Sequence, residues 1–323
     1  MIELRNVSKV YGDGTKAVDS VSLEVPRGDV ATLVGPSGCG KTTTMKMINA
    51  LIEPTEGTLS IDGTSIDQLD SIELRRNVGY VIQEIGLFSH MTVEENIGIV
   101  PDIVGWDDDR TEQRVTELLE LIQLPANVRE KYPAELSGGQ RQRVGVARAL
   151  AANPEVVLMD EPFGALDPIT RDELQDEFLR IQDELDVTIA FVTHSIDEAI
   201  KMGDRVAVLN EGRLVQYDTP RELLANPENE FVESFIGEDR LLKQLQTIPV
   251  REAMRERPDS VEKTSRTVTP DDSLKTALQR LFTDNRPEIS VVSNHEVVGL
   301  LSEDDVRRAV GGDPSTVLEG HHA

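Results

Sequence analysis

Residues 35–42 read Gly-Pro-Ser-Gly-Cys-Gly-Lys-Thr, a match to G-x-x-x-x-G-K-[ST]. The segment follows a short apolar run at 29–34, and residues 41–51 then have helical spacing. Strand, glycine-rich loop and helix in that order form the frame in which such a loop binds phosphate. Gly35, Gly38 and Gly40 let backbone N–H groups turn inward, and the helix points its positive end at the same anion. Pro36, Ser37, Cys39 and Thr43 belong to the same cradle, Lys41 would pair with the β and γ phosphates, and the Thr42 hydroxyl would ligate Mg²⁺. Cys39 reads most simply as a small filler, with a redox role as the alternative.

A second cluster of chemistry lies at 156–161, Val-Val-Leu-Met-Asp-Glu. Four apolar residues followed by two acids describe a buried strand that delivers carboxylates at its carboxyl end, where α/β sheets bind ligands. Asp160 would hold the metal shell, and Glu161 would act as general base on the attacking water.

With 323 residues, of which 38% are apolar, the chain has the length of about two domains. Its formal charge is −26, from 59 acids and 33 bases. The first 237 residues carry −22 of it, so the acidity is no detachable tail. Such a surface disfavours nucleic acid as a partner. Nine lysines against 24 arginines, with this many acids, fit a protein working in high salt, where screening relieves self-repulsion. Cys39 is the one cysteine, so no intrachain disulfide forms. The N-terminal residues lack a signal-peptide pattern, and no apolar run approaches the roughly 18 residues of a membrane span. Service at a membrane would therefore require docking onto another subunit.

Strand patterns at 1–10, 21–25, 78–83, 156–159 and 188–193 alternate with helical ones at 111–124, 140–152 and 169–185. They predict an α/β fold with a mainly parallel sheet covered on both faces. Residues 205–209 and 213–217 read as a hairpin. The pattern changes near Gly237. A linker or connecting helix is expected at 238–246, and a small α+β unit at 247–310, with helices at 273–282 and 303–310 and strands at 289–292 and 297–301. Residues 311–323 are expected to fray. There is no internal repeat and no low-complexity tract.

Residues 136–140, Leu-Ser-Gly-Gly-Gln, followed by Arg141-Gln-Arg143, resemble the signature of ABC ATPases about twenty residues before the acidic strand end. The resemblance covers residues 1–237 and implies a phosphate-loop ABC domain with an antiparallel N-terminal β subdomain and a helical subdomain. It implies that Ser137, Gly138, Gly139 and Gln140 complete the ATP site of a partner subunit. Tyr11 matches the aromatic that stacks on adenine. Gln83 matches the glutamine that touches Mg²⁺, and residues 165–167, ending in Asp167, match the loop at the dimer interface. His194 matches the switch histidine near the γ-phosphate. The resemblance further implies a head-to-tail ATPase dimer that drives alternating access in integral-membrane permease subunits at the cytoplasmic face; a homodimer is expected, with a heteromeric pair as the alternative.

Residues 80–97 are similar to the corresponding stretch of ATPase subunits of glycine betaine, carnitine, choline and proline importers. Such importers also use an extracytoplasmic substrate-binding protein. Residues 250–254, 268–274 and 299–305 resemble one CBS domain, which in the family occurs in tandem. There the Ser/Thr-x-x-Asp pattern can contact a nucleotide, pointing to Ser302 and Asp305, although Ser302 before acids is also an ordinary helix cap. The rival readings are an importer of D-amino acids, nitrate or taurine, a soluble ABC ATPase of repair or translation, and a nucleotide-sensing module.

Overall fold

The computed structural model describes residues 1–82, 86–164, 166–256, 267–284, 287–294 and 296–310. The chain divides into two compact units, Met1–Thr219 and Pro220–Ala323.

In the first unit β1 (Ile2–Val10) and β2 (Lys16–Val25) pair antiparallel around the turn at Tyr11, whose amide donates to Thr15 O at 2.9 Å. β2 begins earlier than its alternation suggested. Val18 and Val21 are both buried although three residues apart, because Ser20 adopts φ 53° and shifts the register. β3 (Val30–Val34), with every residue buried, runs into the glycine loop and α1 (Lys41–Ile48). β4 (Glu56–Ile61) and β5 (Thr64–Ser65) complete an antiparallel sheet ordered β2-β1-β4-β5.

α2 (Ser71–Asn77), β6 (Val78–Val81), α3 (Val93–Ile103), α4 (Asp108–Leu121), α5 (Gly138–Leu150) and β7 (Val156–Asp160) follow. After them come α6 (Pro168–Leu185), β8 (Thr188–Thr193), α7 (Ile196–Met202), β9 (Arg205–Asn210) and β10 (Arg213–Asp218). A six-stranded sheet has the order β10-β9-β3-β8-β7-β6, parallel except for β10. Its two faces feed separate cores. Val157, Met159, Ile189 and Phe191 pack with α3 to α6, whereas Val156, Leu158, Ala190 and Val192 pack with α1 and the antiparallel sheet. Period-two burial on both faces is why these strands read as unbroken apolar runs.

α3 starts from a capping box between Thr92 and Glu95. Fully buried Asn96 accepts from Phe88 N at 2.8 Å, and its Nδ2 lies within 3.1 Å of the carbonyls of Phe88, Met91 and Thr92. One side chain thereby fixes the segment that precedes the helix.

The second unit comprises α8 (Pro220–Ala225), α9 (Glu230–Ile236), α10 (Arg240–Thr247), β11 (Arg255–Glu256), β12 (Thr267–Val268), α11 (Leu274–Asp284), β13 (Glu288–Ser293), β14 (Glu296–Ser302) and α12 (Glu303–Ala309). Its sheet has the order β11-β14-β13-β12. The boundary falls at Thr219, not near Gly237. The segment expected as linker or connecting helix is α10, whose Leu245 joins the core of Val250, Leu274, Val291 and Leu301. Buried Lys243 donates to Ile236 O at 2.6 Å and to Asp239 Oδ1 at 2.6 Å. The expectation for residues 311–323 lies outside the described residues.

Candidate nucleotide-binding site

The loop after β3 turns on three glycines at positive φ: Gly35 at 155°, Gly38 at 80° and Gly40 at 101°. A Cβ on Gly35 would sit 2.1 Å from Leu209 O, and one on Gly40 would sit 2.4 Å from Ala17 O. Gly40 leads into α1 with no side-chain cap and no acid in the first turn, so the helix's first amides are left to an anion. Pro36, Ser37 and Gly38 are exposed, and Cys39 is 3% exposed within the core under the loop. The Lys41 ammonium donates to Gly35 O at 2.7 Å and to Pro36 O at 3.0 Å, and lies 3.7 Å from Cys39 Sγ. These residues fit a phosphate group: donors line the loop, and glycines occupy the positions where a Cβ would fill or strain it.

Thr42, one residue into α1, donates from Oγ1 to Asp160 Oδ1 at 3.3 Å, bringing together two residues separated by 118 positions. β7 is two strands from β3 in the sheet, and this order places its carboxyl end beside α1. Burial pushes the Asp160 carboxyl up, Thr42 opposes that, and Glu161 adds to it. A half-buried carboxylate with a hydroxyl beside it suits a hard cation. Among the described residues no three His, Cys, Asp or Glu side chains gather into a complete metal cage.

Glu161 stands at φ 47°, a left-handed conformation unusual for a side chain of this kind. Its amide donates to Val192 O at 2.9 Å, which stitches the residue to the end of β8. His194, just past β8, places Nδ1 3.2 Å from Glu161 Oε2. Glu161 is largely covered and His194 is exposed. Tyr11 lies at the other side of the loop, with its hydroxyl 3.4 Å from Thr43 Oγ1 and Lys9 Nζ 5.7 Å from its ring centre.

The signature residues open α5. Ser137 caps the helix through Gln140 N at 3.2 Å, and Gln140 Oε1 accepts from Ser137 N at 2.9 Å. A Cβ on Gly138 or Gly139 would meet Leu166 or Thr170, at 3.8 Å and 2.9 Å. Among the described residues no hydrogen bond joins 137–140 to the phosphate loop. Asp167 caps α6 by accepting from Thr170 N at 3.1 Å, and Thr170's hydrogen bonds hold its carboxyl below the usual range. Gln83 and Ala165 lie outside the described residues.

Sequence spacing did not single out Tyr80. Burial and the neighbouring Asp160 charge push its phenol up to about 12. Its signal is the register of β6 on β7, where Tyr80 pairs with Leu158, and such pairing is invisible without the sheet order. In the second unit Ser302 and Asp305 form a capping box at the start of α12. Asp305, 3% exposed, accepts from Ser302 Oγ at 2.6 Å and from Arg255 Nε at 2.9 Å, and it also pairs with Arg308. Burial pushes this carboxyl up, but Ser302 and Arg255 outweigh it and hold it low.

A family model described as ABC transporter matches residues 18–164, and one described as CBS domain matches residues 250–312. Over 298 residues the chain is 51% identical to the glycine betaine/carnitine/choline transport ATP-binding protein OpuCA of Bacillus subtilis (strain 168), covering 92% of this chain and 77% of that protein. It is 48% identical over 317 residues to the osmoprotectant import ATP-binding protein OsmV of Salmonella typhimurium, covering 96% and 81%. A solved dimer of an ATP-binding cassette in a post-hydrolysis state with ADP and Pi is 33% identical, with TM-score 0.62, over 68% of this chain and 99% of that one. The matches bear out the resemblances to ABC ATPases, to ATPase subunits of osmoprotectant importers and to a CBS domain.

Proposed function

The chain belongs to the ATP-binding subunits of ABC transporters, and from that premise we propose that it hydrolyses ATP to energise import of a quaternary-amine osmoprotectant. The substrate class rests on relatives named for glycine betaine, carnitine, choline and osmoprotectants at about half identity over most of the chain. No helix among the described residues is long and apolar enough to cross a membrane. Import therefore runs through permease subunits to which this chain docks at the cytoplasmic face, with an extracytoplasmic binding protein delivering the solute.

The observation that carries the hydrolytic reading is the convergence of Thr42 with Asp160 and of Glu161 with His194 around one glycine loop. Lys41 and the loop amides bind the phosphates, and Tyr11 stacks on the base. Thr42 and Asp160 would hold Mg²⁺, with Gln83 added to that shell by the family resemblance alone, and the ion would neutralise charge on the transferred phosphoryl group. Glu161 takes the proton of the attacking water. His194 braces the Glu161 carboxylate from 3.2 Å, and the family resemblance gives it the place of the switch histidine near the γ-phosphate.

Ser137 and Gln140 cap α5 reciprocally within their own chain, which leaves the amides of Gly138 and Gly139 as the helix-end donors for an anion. In a dimer they complete the partner's site, with Asp167 at the crossing. The proposal assigns no nucleotide to Ser302 and Asp305, because Ser302, Arg255 and Arg308 already occupy that carboxylate.

Reconstitution with the neighbouring permease and binding protein tests the substrate class. ATP-dependent uptake of labelled glycine betaine, choline or carnitine is expected. Uptake of taurine, nitrate or D-amino acids in their place would overturn it.

A further inference from the structure

Behind the turn that carries His194 lies a carboxylate the hydrolytic reading leaves unused. Glu198, on α7, is 8% exposed. Fully buried Thr193 donates its hydroxyl to Glu198 Oε2, and the same hydroxyl accepts from Ser195 N at 3.0 Å. Of the two neighbours of His194, Thr193 is therefore tied to the carboxylate directly and Ser195 through the Thr193 hydroxyl. The other oxygen, Oε1, accepts from Gln175 Nε2 at 3.3 Å and lies 3.6 Å from Arg171 Nε. Arg171 and Gln175 are one turn apart on α6. Arg171 Nη2 also donates to Leu166 O at 2.9 Å, on the backbone next to Asp167.

A carboxylate this deep is unfavourable unless its acceptor positions are filled, and the Thr193 hydroxyl and Gln175 amide fill them with the Arg171 guanidinium alongside, so these partners are held together. The chain of contacts runs from the loop ending at Asp167, through Arg171 and Glu198, to the turn around His194. We propose that Glu198 is a positioning residue for hydrolysis: it locks the His194 turn to α6, so the approach of His194 to Glu161 follows the loop that carries Asp167. Glu198 touches no substrate and acts through Thr193. Any shift of that loop when a second copy docks is delivered to the hydrolytic pair. The inference rests on the roles given above to His194 and Asp167.

Steady-state hydrolysis by the full chain tests it, with kcat, the KM for ATP and Tm measured for wild type, Glu161→Gln, Glu198→Gln, Arg171→Met and the double variant. Glu198→Gln keeps the size of the side chain but has one acceptor oxygen in place of two, so it cannot accept from both Thr193 and Gln175 and sets an NH2 group against one of these donors. It should lower kcat about tenfold, the low end for outer partners of a reacting group, with KM changed less than about twofold. Arg171→Met should act in the same direction, and the double variant should be no worse than the worse single, as for two links of one chain. A wild-type kcat in Glu198→Gln, or a fall in Tm without a fall in kcat, would assign Glu198 to packing alone. Additive losses in the double variant would break the proposed path. Hydrolysis surviving in Glu161→Gln would instead overturn the hydrolytic reading beneath it.

Discussion

Thr42 Oγ1 lies 3.3 Å from Asp160 Oδ1, so the first turn of α1 and the last residue of β7 present a hydroxyl and a carboxylate to one point. Burial raises the Asp160 carboxyl above its ordinary value. A carboxyl with a raised folded pKa stabilises the fold while protonated, and that contribution is lost as pH rises from about 4 through the folded value. Near neutrality the ionised group is thus held at a cost, which a bound cation relieves. Asp160→Asn should leave Tm of the nucleotide-free chain at pH 7 equal or higher and lower Mg²⁺-dependent hydrolysis at least about 100-fold. Thermal melts and ATPase assays across Mg²⁺ concentration check both halves.

Arg143 and Glu177 form a salt bridge at 2.8 Å between α5 and α6, with Glu177 5% exposed and Arg143 22%. The pair should respond asymmetrically. Arg143→Ala strands a buried anion and should cost about 3 kcal/mol, whereas Glu177→Gln leaves a cation that water reaches and should cost about 1 kcal/mol. Burial already raises the Glu177 carboxyl, with Arg143 opposing. The Arg143→Ala penalty should therefore shrink as pH falls and Glu177 takes up a proton. Urea unfolding at pH 5 and pH 8 measures it.

The buried strands and the phosphate loop were legible in the sequence because each is specified locally. β3, β7 and β8 are short, mainly apolar runs, and residues 35–42 carry their own turn chemistry. α3 was not, since Gly98 and Pro101 interrupt its pattern and its start depends on Thr92 and Glu95 capping each other. The first half of β2 was hidden by the Ser20 register shift. The candidate site residues could be named from type and spacing, but the distances between them could not. Which carboxylate meets Thr42, and which histidine nitrogen meets Glu161, depends on the order β3-β8-β7. Glu198 was silent for the same reason: on sequence it is one more acid in an acidic chain.

Two loop glycines separate strain from crowding. Gly38 has φ 80° with no atom within 4 Å of an added Cβ, whereas at Gly35 the Cβ would meet Leu209 O at 2.1 Å. Gly38→Ala should cost about 1–2 kcal/mol from its backbone conformation alone. Gly35→Ala should cost more than about 3 kcal/mol or prevent folding, because the obstacle is backbone in a neighbouring strand. Comparable Tm values for the two variants would contradict this.

The charge of −26 gives the fold a salt dependence. The screening length falls from about 10 Å at 0.1 M to about 3 Å at 1 M, which relieves repulsion among exposed acids. If that relief reaches about 2 kcal/mol, Tm should rise by roughly 4–8 °C between 0.1 M and 2 M KCl. Equal Tm at both concentrations would remove the high-salt reading and leave the nucleotide site untouched.

Hydrolysis at Glu161 is the centre of the functional account, and nucleotide binding measured together with turnover in Glu161→Gln tests it most directly. The amide keeps the shape of the side chain and its place beside His194 but cannot take a proton from water. ATP binding within about twofold of wild type with turnover reduced at least about 100-fold is the expected result. Turnover at the wild-type rate, with ATP binding intact, would contradict the assignment of Glu161 as the base.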